Sequence, residues 1–83
     1  MNNNITIYTL PNCVQCNQTK KLLTKLELSF DTVDLTQHED DYRFVTEHLG
    51  YKAAPVIIVR DDEGNITDHW SGFDPDKIND AEG

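Results

Sequence analysis

Cysteine is scarce in this chain. Only Cys13 and Cys16 carry thiols, so there is no second cysteine pair. His38, His48 and His69 are scattered and never fall three to five residues apart in the manner of zinc ligands. The four closely spaced donors of a structural zinc are therefore lacking, and no metal site is expected. Basic residues are also few. Seven Lys and Arg face fifteen Asp and Glu, a formal charge of −8, which argues against nucleic acid and anionic membranes as partners. No apolar run approaches the length of a membrane span. The start, Met1-Asn2-Asn3-Asn4-Ile5, has neither the basic region nor the apolar core of a signal peptide. A cytoplasmic protein is expected. Repeats, linkers and low-complexity stretches are absent too. With 37% hydrophobic residues and four glycines, residues 1–83 read as one small globular domain, expected as a monomer.

The two cysteines that are present stand two residues apart, as Cys13-Val14-Gln15-Cys16, after a short apolar run. A C-x-x-C pair that follows a strand and opens a helix marks a redox site. Residues i and i+3 share one helix face, so two thiols placed there can join across the first turn and separate with little backbone motion. Cys13 falls at the helix end, where unpaired N–H groups and the positive end of the dipole favour a thiolate. Cys16 falls one turn in and more buried. The pair reads as attacker and resolver. A static structural bridge is the plainer reading, but so short a loop makes a weak staple. In the cytoplasm disulfides are typically transient and catalytic.

Ile5-Thr6-Ile7-Tyr8-Thr9-Leu10 alternates apolar residues and reads as a first strand, broken by Pro11-Asn12. From Val14 to Glu27 the pattern is helical, with Cys16, Thr19, Leu23 and Leu26 at steps of three and four. Phe30 to Leu35 reads as a second strand, parallel to the first by the right-handed βαβ rule. Thr36 and Glu39 have capping-box spacing. A helix is expected after them, with Tyr42, Val45 and Leu49 on one face and Gly50 at its end. Pro55-Val56-Ile57-Ile58-Val59 is continuously apolar, as suits a central strand covered on both faces. A turn at 61–65 leads to an antiparallel partner strand, Ile66 to Trp70. Ser71-Gly72-Phe73 is a loop, after which Asp74 as N-cap and Pro75 at N1 start a last short helix. The order βαβαββα gives an α/β fold, a four-stranded mixed sheet with three helices on both faces. Acids gather late, at Asp61, Asp62, Glu63, Asp68, Asp74, Asp76, Asp80 and Glu82 against the single base Lys77. They read as a solvated face, with a docking surface for a basic partner as the other reading.

With the cysteine motif, this element order and Pro55 opening the third strand, the chain resembles the thioredoxin superfamily at its small, glutaredoxin size. Cys13-Val14-Gln15-Cys16 together with Trp70-Ser71-Gly72-Phe73-x-Pro75-Asp76 is similar to the NrdH-redoxin family. The resemblance implies a thiol–disulfide oxidoreductase, a redox carrier that donates electrons to the large subunit of class Ib ribonucleotide reductase. Thioredoxin reductase would recharge it with electrons from NADPH. No cofactor is implied beyond the reversible Cys13–Cys16 disulfide. Cys13 would be the nucleophile and Cys16 the resolving thiol. Ala54-Pro55 would match the residue and cis-proline that face the disulfide. Val14, Gln15, Trp70, Ser71, Gly72 and Phe73 would complete the surface that receives the partner. Asp74 stands where the family's loop often carries arginine, a reversal of charge that bears on which reductase docks.

Two other functions compete. A glutathione-dependent glutaredoxin commonly needs a tyrosine within the cysteine motif and a paired glycine with an acid near the last helix. Here Val14-Gln15 lacks the tyrosine and Ser71-Gly72 replaces the pair. A metal or iron–sulfur module would need ligands from a second subunit. Trp70 has two readings, capping the core or walling the groove. Phe73, in a loop, is expected to be exposed. No acid or base lies between Leu10 and Thr19, so any stabilisation of a Cys13 thiolate is expected from backbone N–H groups. Free thiols have a pKa of about 8.5, and C-x-x-C thiols at helix ends are lowered to about 3.5–7.5.

Overall fold

Five of the six residues from Pro55 to Arg60, the central strand and the proline before it, are buried, and this strand organises the molecule. A computed structural model describes residues 4–82, so the expectation about Met1 to Asn3 lies outside the described residues. The elements run β1 (Asn4–Thr9), α1 (Val14–Lys25), β2 (Phe30–Asp34), α2 (Glu39–Arg43, continued by wider π turns over Phe44–His48), β3 (Val56–Arg60), β4 (Ile66–Ser71) and α3 (Pro75–Glu82). The sheet order is β2-β1-β3-β4. β1 is parallel to β2 and antiparallel to β3, and β3 is antiparallel to β4. This is the expected mixed sheet.

Period-two alternation sends side chains of β1 and β3 to opposite faces. Ile5, Ile7, Ile57 and Val59 meet Leu23 of α1, Ile78 of α3 and Trp70 on one face. Tyr8, Val56 and Ile58 meet Leu35 and Val45 on the other. β3 is apolar from Val56 to Val59 because both of its faces are covered there. The edge strands carry the polar residues, Asp31 and Thr32 on β2, Thr67 and His69 on β4, which discourages further strand pairing.

The strands shift by at most a residue at either end, and three helical features differ from expectation for local reasons. Helix α1 stops at Lys25, two residues early. Glu27 turns into the left-handed region (φ 60), and Leu28 N–H closes on the Leu23 carbonyl at 2.9 Å, a Schellman-type end with glutamate where glycine is usual. The Thr36–Glu39 capping box does not form. Asp34, a charged acceptor two residues back, takes both the Thr36 N–H (2.8 Å) and the Thr36 hydroxyl (2.6 Å). The helix then begins at Glu39 after an N-cap, His38, that makes no side-chain cap. Glu39, Asp40 and Asp41 in its first turn still complement the helix dipole. Tyr42, expected on the buried face with Val45, is exposed (48%), and the π turns that follow, such as Leu49 N–H to the Phe44 carbonyl at 3.1 Å, change the helix period before Leu49. Gly50 (φ 77) ends the segment as expected, and Tyr51 N–H returns to the Val45 carbonyl at 3.0 Å. Asp74 caps α3 through the Lys77 N–H at 3.2 Å, with Pro75 at N1. Among the described residues no helix is long and apolar enough to cross a membrane.

Candidate active site

The chain leaves β1 at Thr9 and turns at Asn12, whose φ of 60 is a left-handed conformation that asparagine tolerates. That turn delivers Cys13 in extended backbone (φ −96, ψ 106) as the N-cap of α1. Its Sγ accepts the Cys16 N–H at 3.1 Å, the bond that a serine or aspartate oxygen would accept at a helix start. Cys13 and Cys16 are joined as a disulfide across 5.2 Å between Cα atoms. Cys13 is partly exposed, whereas Cys16 is 2% exposed, on one stripe with buried Thr19 and Leu23. Burial thus splits the two sulfurs as expected from their helix positions. With no acid or base from Pro11 to Gln18, the nearest polar groups in sequence around Cys13 are backbone N–H dipoles and neutral amides.

Two further segments converge here. The Ala54–Pro55 peptide bond is cis, the geometry the resemblance implied. The Pro55 carbonyl accepts the Gly72 N–H at 2.9 Å, and the Ala53 carbonyl accepts the Ser71 hydroxyl at 2.8 Å. Gln15 Oε1 accepts the Phe73 N–H at 3.1 Å. The cysteine turn, the segment before β3 and the loop after β4 are therefore stitched together. Val14 is the most exposed large apolar residue of the group (70%). Gln15 is also exposed, and Ala54, Ser71 and Gly72 are half-buried. Trp70, for which the sequence allows either core or groove wall, lies 6% exposed in the core beside Ile57 and Ile78. Phe73, expected to be exposed, is instead half-buried, because its ring packs against that same apolar core.

A cavity of about 260 Å³ opens beside Ala53-Ala54, lined also by Leu10, Leu35, Tyr42, Val45 and Lys52. Sequence reading missed it, because its lining comes from four separate segments and only the isolated apolar Leu10 hinted at it. Two carboxyls are held below the ordinary carboxylate range, but in turns outside the cysteine motif. Asp34 is lowered by the Thr36 hydroxyl and then its N–H. Asp61 is lowered first by the Asn65 N–H. Among the described residues no cluster of three metal-ligating side chains occurs.

A mixed βαβαββα sheet with a partly exposed N-cap cysteine bonded to a buried partner one turn on is a thioredoxin-like fold carrying a thiol–disulfide oxidoreductase site. The glutaredoxin family profile matches residues 5–63. The glutaredoxin-like protein NrdH of Lactococcus lactis is 35% identical over 74 residues, covering 89% of this chain and 93% of that one. Its counterpart in Salmonella typhimurium is 38% identical over 77 residues, covering 90% and 84%. Among solved structures, the glutaredoxin-like NrdH-redoxin of Escherichia coli superposes with a TM-score of 0.78 at 32% identity, over 93% of this chain and 92% of that one. The chain belongs to the glutaredoxin family and, within it, to the NrdH-redoxin group.

Proposed function

We propose that this protein is a dithiol electron donor to protein disulfides, with Cys13 as nucleophile and Cys16 as resolving thiol. The reduced protein brings two thiols. The Cys13 thiolate attacks one sulfur of the partner's disulfide, the partner's S–S bond breaks, and the expelled sulfur leaves as a thiolate that takes a proton. Cys16 gives up its proton and attacks the Cys13 sulfur. The mixed disulfide breaks, the partner departs with two thiols, and the Cys13–Cys16 bridge remains. Two electrons pass to the partner, and a reductase returns them to the bridge. The observation that supports this most is the division between the sulfurs. Cys13 is reachable and hydrogen-bonded to a helix N–H, and Cys16 is buried behind it.

The partner is read as the large subunit of class Ib ribonucleotide reductase, and the recharging enzyme as thioredoxin reductase drawing on NADPH. The family assignment supports that reading, as does a motif without the tyrosine of the glutathione clamp. The working compartment is read as the cytoplasm, where the pair can be kept reduced. No bound cofactor is needed. Turnover with NADPH and thioredoxin reductase, compared with glutathione and its reductase, tests the assignment. Faster turnover with thioredoxin reductase supports it, and reduction by glutathione alone overturns it. A Cys16→Ser variant in cell lysate should hold its target as a stable mixed disulfide, and Cys13→Ser should hold none.

A further inference from the structure

Gln15 lies between the two cysteines, yet its amide oxygen is engaged on the opposite wall, where it accepts the Phe73 N–H at 3.1 Å. Beyond the pairing of Ser71 with Val56 in the sheet, hydrogen bonds to two other segments hold residues 71–73. Two of these bonds, Ser71 hydroxyl to the Ala53 carbonyl and Gly72 N–H to the Pro55 carbonyl, tie the loop to the segment before β3. The Gln15 bond is the one that ties it, among the described residues, to the cysteine turn. Gly72 matches that bond. It has a φ of +89, and a Cβ there would come within 3.3 Å of Gln15 Oε1, so a bare backbone makes room for the amide. The Gln15 backbone is anchored in turn, since its main-chain carbonyl accepts the hydroxyl of the fully buried Thr19 at 2.8 Å.

We propose that Gln15 is a positioning residue, a latch that holds the Gly72-Phe73 wall at a fixed spacing from the sulfur pair and so preforms the partner groove. This rests on the donor function proposed above and assigns Gln15 a role other than substrate contact. A preformed groove spares the arriving partner the cost of ordering the loop. Without the latch each partner must order it, so KM rises while the exchange step at Cys13 is untouched. A neutral hydrogen bond contributes about 1 kcal/mol net, which is about fivefold in an equilibrium. The neutrality of the amide also matters. A carboxylate at this position would keep the acceptor but place a negative charge within one turn of Cys13, which disfavours the thiolate.

The test is reduction of insulin disulfides driven by dithiothreitol, over a range of pH, with wild type, Gln15→Met and Gln15→Glu. Gln15 is solvent-exposed, so the fold is not at stake. Methionine keeps the length and removes the acceptor. It should raise KM about fivefold with kcat unchanged, and speed exchange of the Phe73 amide hydrogen. Glutamate should restore both KM and the protection of that amide, while moving the pH–rate profile to higher pH. A wild-type KM in Gln15→Met overturns the latch, and so does a Gln15→Glu protein as impaired as Gln15→Met. Failure of the wild type to reduce insulin at all would overturn the donor function as well, which separates the two outcomes.

Discussion

Replacing Gly72 by alanine tests how rigidly the wall of the site is held. At φ +89 an L residue is forced into a region it rarely adopts, at a cost of about 1–3 kcal/mol. The added Cβ would sit 3.3 Å from Gln15 Oε1. That atom ends a flexible side chain and need give only a few tenths of an ångström, so the steric clash is cheap, but the Phe73 hydrogen bond is weakened with it, for up to about another 1 kcal/mol. The sum is about 1–4 kcal/mol, or a fall in melting temperature of at least about 4 °C in a domain of this size. Urea unfolding of wild type and Gly72→Ala measures it directly. In the Gly72→Ala background Gln15→Met should cost less than in wild type, because its bond is already weakened, whereas in wild type it should cost the full hydrogen bond. A Gly72→Ala protein within about 0.5 kcal/mol of wild type, the range of an ordinary surface change, would refute the reasoning. Full additivity of the two substitutions would refute the coupling.

Other consequences follow from particular residues. Glu27 occupies the left-handed position after α1, so Glu27→Gly should stabilise the fold by about 1 kcal/mol, seen as a higher urea midpoint. Asp74 caps α3 through the Lys77 N–H, so Asp74→Ala should cost about 1 kcal/mol by the same measurement. Asp61 accepts the N–H groups of Asn65 and Glu63, and its folded pKa lies below the ordinary value of 3.8. A carboxyl lowered by folding stabilises fully above its unfolded pKa and loses that contribution as pH falls through the lower folded value. Asp61→Asn should therefore lower the urea midpoint at neutral pH, and the gap to wild type should close below the ordinary carboxylate range. Asp34, lowered by Thr36, should behave in the same way.

What was legible in the sequence is what short-range chemistry decides. The 56–59 run declares a strand covered on both faces, the cysteine spacing declares a helix start, and Asp74-Pro75 and Gly50 punctuate their helices within a residue or two. Failures arose where two local partners competed. Thr36 was within reach of both Glu39 and Asp34, and the charged acceptor two residues away won. Glu27 took a position usually left to glycine because the Leu23–Leu28 closure over-determines it. The rest of the site was beyond sequence reading because its contacts are remote. Gln15 and Phe73 are 58 residues apart, and no period or motif pairs them. Trp70 was undecided for the same reason. Its side could be settled only once the register of β4 against β3 set Trp70 opposite Ile57, on the face that α1 and α3 cover.

The central claim is that a helix end, without help from any charged side chain of the motif, makes one of the two sulfurs reactive. Its most direct measurement is the pH dependence of alkylation of the reduced protein, resolved for each cysteine by mass spectrometry. Cys13 should be modified with a midpoint below the free-thiol value of about 8.5, while Cys16 stays protected at the same pH. A Cys13 midpoint at or above that value, or equal modification of both cysteines, would contradict the account.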